Sequence, residues 1–384
     1  MKIAVLLLCS ALLAACAGVP TAPPADGLFR DAMFAPPSIP IDADAAMAAS
    51  AEMRSYLGER ITGRTPVADR KRQLMDALYR KGDLRLEYDA ALTRTAAQAF
   101  DARSGNCLSL VMMTGAFARE LGLTVQYQVF PGNDLWDRTD DIYIAVGHVN
   151  LTLGDRPPLS SAGFARYGET MTVDFIAPSS GQAARARVVQ EHTIVAMYLN
   201  NRAVESLTHG QVDDAYWWAR EALRKDPALL SAYITLGVVY RNGHQPELAD
   251  AALQRVLMRE PENTMAMSNR VLVLRDLGRD GEAATLAQQL DRLDPHPPFS
   301  YFHEGRVALR EGRLDDARAL FAKEVDRAPH QHESQFWLAL TYLALHDTGR
   351  ATAHLTRAME ESTTRKDHDL YAAKLDRLKA LGLQ

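Results

Sequence analysis

Arg103-Ser104-Gly105-Asn106-Cys107-Leu108-Ser109-Leu110 closes a polar turn and opens a helix. From Leu108 to Leu121 the residues are mostly apolar or small, with Leu110, Val111, Met112, Met113, Ala116, Phe117 and Ala118. A helix apolar on nearly all sides is a buried one. Gly122 stands where a helix ends. Cys107 therefore falls in the first turn of a central helix. There the unpaired backbone N–H groups and the helix dipole favour a thiolate and lower the thiol pKa. That suits a nucleophile, but the position equally suits a cysteine that is only a small buried apolar residue.

The 384 residues are 47% hydrophobic and 24% charged, with net charge −5. This is ordinary globular composition, enough for two or three domains. With no basic excess, tail or patch, no nucleic-acid partner is expected, and no residue pattern calls for a cofactor or a metal. Met1-Lys2 followed by the apolar run Ile3 to Leu13 reads as a secretory signal over residues 1–15, too short to span a bilayer. The following residues 16–45 are rich in Ala and Pro, including Pro20, Pro23, Pro24, Pro36, Pro37 and Pro40, which predicts an extended linker.

The cleavage region Leu13-Ala14-Ala15-Cys16 resembles the lipobox of bacterial lipoproteins. The resemblance implies that Cys16 becomes the acylated first residue, so the partner of the N-terminus is a membrane. Ala17 in place of Asp implies an outer-membrane, periplasm-facing protein of the cell envelope. Cys9 is then lost with the signal, Cys16 is lipidated, and Cys107 is the one free thiol of the mature chain. A single unpaired cysteine in an exported protein is a candidate reactive group.

Residues 46–195 read as one α+β unit. Helices are predicted at Ala46 to Tyr56, Asp69 to Arg80 (ended by Gly82) and Thr93 to Phe100, with a short strand at Leu84 to Tyr88. After the central helix the period becomes two: Val125, Tyr127 and Val129 alternate with Gln126 and Gln128 in a strand. A polar loop carrying Trp136 covers 131–141. Ile142 to Leu153 and Thr170 to Ile176 complete an antiparallel run.

A thiol nucleophile needs a base, and the base an orienting group. Cys107, His148 and Asp174 follow in that order. Asp174, between Val173 and Phe175, is expensive to bury unless paired, and His148 on the adjacent strand supplies the pairing. Asn106 would stabilise an oxyanion or cap the helix. Trp136 would line a cleft or cover the core. His192 is a rival base near the end of the unit.

The stretches Gly105-Asn106-Cys107-Leu108-Ser109, Arg119-Glu120-Leu121-Gly122-Leu123, Gly147-His148-Val149 and Val173-Asp174-Phe175 together resemble the transglutaminase-like, or papain-like cysteine peptidase, fold. The resemblance covers about residues 50–195. It implies Cys107 as nucleophile, His148 as general base and acid, Asp174 as its orienter and the cysteine N–H in an oxyanion hole. That family includes peptide-cleaving and acyl-transferring enzymes and domains that have lost activity.

From residue 196 the chain repeats. Pro227, Pro261, Pro295 and Pro329 are 34 residues apart, as are Ala215, Ala249, Ala283, Ala317 and Ala351. Gly210, Gly278 and Gly312 keep the frame, with His244 and His346 in the skipped places. Period and punctuation resemble tetratricopeptide repeats. Five units fit 196–363, with 364–384 as a capping helix. The all-α solenoid so implied presents a concave groove to a protein or peptide, lined by Ile234, Val238, Met265, Leu272, Phe299, Phe302, Phe336 and Leu340, with Arg241, Arg275 and Arg306 interspersed. Since no linker separates 195 from 196, part of this surface could instead pack on the Cys107 unit. Two functions are open: a membrane-anchored thiol acyltransferase or amide hydrolase whose repeats recruit a substrate, or a catalytically silent scaffold lipoprotein of an envelope complex.

Overall fold

The computed structural model describes residues 25–61, 67–79, 84, 86–89, 92–139, 142–154, 170–175, 186–329, 331–362 and 365–380. The signal reading of 1–15, the lipidation site Cys16 and the first part of the linker lie outside these residues, as does Gly82.

The N-terminal unit comprises α1 (Ala51–Arg60), α2 (Val67–Tyr79), β1 (Glu87–Tyr88), α3 (Ala96–Ala102), β2 (Ser104–Gly105), α4 (Cys107–Glu120), β3 (Thr124–Thr139), β4 (Ile142–Gly154), β5 (Met171–Val173) and β6 (Arg187–Val189). The last four form an antiparallel sheet in the order β5-β4-β3-β6, while β1 and β2 make a short parallel pair. Every residue of α4 from Cys107 to Ala118 is buried. It packs on the sheet face carrying Tyr127, Val129, Val149, Leu151 and Leu153. Gly115 is required at that contact, because a Cβ there would overlap the Tyr127 hydroxyl.

Two expectations change here. Of the polar loop expected at 131–141, residues 131–139 are strand: β3 runs on through Thr139, after an irregularity that sets Phe130 opposite His148 and Leu135 opposite Val146. The helix expected over 46–56 begins later, at Ala51, where Ser50 caps it by accepting from the Met53 N–H. Ala45–Met47 is a separate 3-10 turn.

Five antiparallel helix pairs follow: α5 (Glu191–Thr208) with α6 (Val212–Lys225), α7 (Leu230–Asn242) with α8 (Pro246–Leu257), α9 (Thr264–Asp276) with α10 (Asp280–Leu293), α11 (Ser300–Arg310) with α12 (Leu314–Arg327), and α13 (His332–Ala344) with α14 (Thr348–Glu360). Helix α15 (Arg365–Ala380) packs on the last pair through Tyr371 and Leu375. Small residues set the closest approach within a pair. A Cβ at Gly305 would lie 2.9 Å from the Phe321 ring, and one at Gly237 2.9 Å from Leu253 Cγ.

The expected border at 195/196 falls inside α5. Ile194, Val195, Tyr198 and Leu199 of that helix share one hydrophobic core with α4 on one side and with α6 and α7 on the other. Arg119 and Glu191 bridge the same junction at 2.6 Å.

From Ala25 onward, the segment expected to be an extended linker is packed on the solenoid. Phe34 stacks on Tyr216 with ring centroids 3.9 Å apart and planes 6° from parallel. Ser38 donates through its N–H and hydroxyl to Asp214. Trp217 donates to the Ala35 carbonyl at 2.7 Å, and Asp31 pairs with Arg220 at 2.9 Å. Proline does favour an extended backbone, but aromatic and polar partners give this arm a surface to lie on.

Candidate functional site

Asn106 is the N-cap of α4. Its backbone is extended (φ −72°, ψ 173°) and its side-chain oxygen accepts from the Ser109 N–H at 2.9 Å. Its amide nitrogen donates to Thr93 Oγ1 at 2.8 Å. One of its two amide N–H groups is thus engaged, and its side-chain oxygen makes Asn106 the capping residue of α4.

Cys107 is the first residue of the helix and is fully buried. The thiol is pushed up to about 11 by that burial; the N–H groups of Leu108 and Val149 pull the other way, and the negative Asp174 raises it further. The expectation that the helix start lowers this pKa is therefore overturned, because loss of water outweighs the helix terminus.

His148 is 2% exposed, next to Val149 on β4. Its Nε2 lies 3.0 Å from Asp174 Oδ2. β4 and β5 are in register with Leu151 opposite Val173, which brings Asp174, one residue past the strand, alongside. With Nε2 donating to the carboxylate, Nδ1 is the nitrogen left to accept a proton. Phe130, opposite His148 in the ladder, packs against the imidazole with centroids 4.9 Å apart. The structure therefore brings His148 and Asp174 into contact, and sets the sulfur against the N–H of the residue after His148.

Asn150 was not anticipated. Its Nδ2 donates to the same Asp174 oxygen at 3.1 Å, so that oxygen has two donors. The signal was available: Asn150 follows His148 by two residues, and alternate residues of a strand share a face. Trp136 lies on the outer part of β3, opposite Ala145. His192 is in the first turn of α5, half exposed and 4.0 Å from Asp226, and it lines a 350 Å³ cleft with Asp44, Met47, Arg119 and Lys225. No group of three metal-ligating side chains occurs among the described residues.

The residues expected to line the groove divide. Leu272 and Arg275 are exposed on α9, and Val238 is half-buried. Arg241 is held by Asp276 at 2.6 Å. Ile234 and Phe302 are buried, Phe302 within the cluster of Phe299, Phe321 and Trp337. Arg306 lies over the Trp337 ring at 5.1 Å. Phe336 stacks on Tyr371 of α15 at 4.9 Å, so the capping helix takes it. Neither Ile234, Phe302 nor Phe336 presents a free groove surface; the packing of adjacent repeats and the cap consumes them.

Residues 234–298 and 302–364 match the tetratricopeptide repeat family, about a third of the chain. A relative in Pseudomonas aeruginosa, TPR repeat-containing protein PA4667, is 28% identical over 151 residues, 39% of this chain. The match spans 25% of that relative's length. Among solved structures, YrrB, described as a TPR protein with an unusual peptide-binding site, is 23% identical over 47% of this chain and 92% of its own, with a TM-score of 0.25. TTC0263 of Thermus thermophilus is 19% identical over 47% of this chain and 98% of its own, with a TM-score of 0.30. The C-terminal half of the chain is a helical solenoid of tetratricopeptide repeats.

Proposed function

We propose that this is an envelope lipoprotein in which a thiol acyl-transfer or amide-hydrolysing domain is joined to a protein-binding solenoid. The observation that carries the catalytic part is the 3.0 Å contact of His148 Nε2 with Asp174, beside the N–H that points at the Cys107 sulfur. In this reading the Cys107 proton passes to His148 Nδ1 as the sulfur attacks a substrate carbonyl. The N–H groups at the start of α4 receive the oxyanion. The imidazolium returns its proton to the departing amine, leaving a thioester. Water or a second amine then takes the acyl group and frees the thiol. Asp174 holds the ring and balances the imidazolium, with Asn150 steadying the carboxylate.

The thiol is neutral at rest, so the thiolate forms only as the proton moves. The test is intact mass after treatment with p-nitrophenyl acetate. Wild type should gain one acetyl group on Cys107, and Cys107→Ser none. His148→Ala should slow the gain by about 100-fold, the order expected of a general base. Acetylation that is equally fast without His148 would sink the catalytic reading.

The second reading is a silent scaffold, in which Cys107 is only a core residue. Its full burial and raised pKa favour it. Both readings keep the repeats as the binding part, with a protein or peptide as partner. Both also keep Cys16 as a lipid anchor, placing the body at the outer membrane facing the periplasm. Cys16→Ser should then move the protein from the membrane to the soluble fraction; retention on the membrane would exclude the anchor.

A further inference from the structure

Helix α5 does more than begin the solenoid. Glu205 Oε1 accepts from the Thr93 N–H at 2.7 Å, and Asn201 Nδ2 donates to Thr93 Oγ1 at 3.3 Å. The same Thr93 oxygen receives the Asn106 amide at 2.8 Å. Asn106 in turn accepts from both the N–H and the hydroxyl of Ser109, each at 2.9 Å. The Ser109 hydroxyl accepts from the Arg94 N–H at 2.8 Å. Thr93, Asn106 and Ser109 are all buried. The hydroxyl of Thr93 also bonds the Glu205 carboxylate, whose pKa burial raises against the pull of Arg202. A hydroxyl has one proton to give and two lone pairs. With two amides donating to it and a carboxylate receiving from it, that of Thr93 is saturated.

Cys107 sits between two members of this network in sequence, so the orientation of its turn depends on it. A buried polar chain is rigid when every member is satisfied and costly when one is removed. The contact is specific to the junction. Arg119 with Glu191 also ties α4 to α5, but at the opposite end of α4 and in solvent.

We infer that Thr93 is a positioning residue for Cys107, and that the first repeat of the solenoid, through Asn201 and Glu205, fixes the helix turn carrying the thiol. This rests on the reading of Cys107 as a nucleophile. The site so described is incomplete without α5, and whatever moves α5 moves the turn of Cys107.

The test uses the full chain and two readouts. Backbone hydrogen exchange at 106–110 reports the turn whether or not the thiol is reactive. The rate of Cys107 alkylation by iodoacetamide from pH 6 to 10 reports the thiol. Thr93→Val should speed exchange at 106–110 by about tenfold, the effect of losing a buried hydrogen bond or slightly more, and shift the alkylation profile. Thr93→Ser should restore both. Asn201→Ala and Glu205→Gln should each act in the same direction by about threefold, which decides the matter if Thr93→Val does not fold. Arg119→Ala should leave 106–110 unchanged. Exchange that rises uniformly over the chain, or not at all at 106–110, would overturn the inference. A wild type that resists alkylation with the exchange pattern intact would instead count against the nucleophile.

Discussion

The first helix of every repeat ends on a residue in the left-handed region: Gly210 (φ 71°), His244 (57°), Gly278 (70°), Gly312 (76°) and His346 (62°). The hydrogen bonds are the same at each. Gly278 donates to the Arg275 carbonyl at 2.9 Å and His244 to that of Arg241 at 3.0 Å, and the next residue reaches back five positions at 2.8 Å in both. A Cβ at Gly210, Gly278 or Gly312 would meet nothing within 4 Å, so the backbone alone sets the energy. An L-residue there costs about 1–2 kcal/mol. Glycine gives back about 0.5–1 kcal/mol through the freedom it gains in the unfolded chain. The steric effect wins by about 0.5–1 kcal/mol. His244→Gly with His346→Gly, three repeats apart, should add to about 1–2 kcal/mol of stabilisation. Gly278→Ala should lose about 0.5–1 kcal/mol. Urea unfolding followed by far-ultraviolet circular dichroism measures both. A double variant less stable than wild type would show that unfolded-state entropy dominates and refute the reasoning.

Phe34→Ala should cost about 2 kcal/mol, roughly half of a full phenylalanine burial plus the stacked pair, and expose residues 25–47 to protease; an arm that resists cleavage as before would contradict its docking. Asp250, buried, accepts from Arg270 at 2.6 Å, Gln254 at 2.8 Å and Arg279 at 2.9 Å, so Asp250→Ala should lower stability by about 2–3 kcal/mol and Asp250→Asn by less, read from the urea midpoint. Gly305→Ala gains about 1 kcal/mol of helix propensity but drives a methyl group into the Phe321 ring at a cost of about 1–3 kcal/mol; a net loss near 1 kcal/mol is expected, and a raised melting temperature would show that the ring yields. Because the Cys107 thiol is raised from 9.0 to about 11 in the fold, the unfolded chain loses its proton first as pH rises. Stability falls across that window, by up to about 2–3 kcal/mol. Cys107→Ala should lack this component, so equal pH slopes in the two proteins between 9 and 11 would refute it.

The repeats were legible because their determinants are local. A glycine or alanine at the close contact, a left-handed residue at the helix end and a proline after the pair all act within one unit, so the 34-residue period carries the fold. The docked arm was not legible, because composition speaks of backbone preference while Phe34 finds Tyr216 across 182 positions of sequence. The groove was legible only in part, for a related reason. The repeat frame says which side a residue faces, not whether a neighbour has already covered it. Phe302 is covered by Trp337 of the next repeat and Phe336 by Tyr371 of the cap.

At the candidate site, the order of Cys107, His148 and Asp174 and the period of two were readable. The contact itself needed the register that sets Leu151 opposite Val173. The charge state of the thiol turns on magnitude. A helix N-terminus contributes about 0.3–1 kcal/mol to a nearby anion. The rise from 9.0 to about 11 corresponds to about 2.7 kcal/mol in the opposite sense. Position along a helix is visible in sequence; the depth at which its first turn is buried depends on the sheet, arm and repeats that close over it. A sulfur held neutral at that depth can act only if its proton has a nearby destination. The raised pKa of Cys107 therefore argues against a free thiolate at rest.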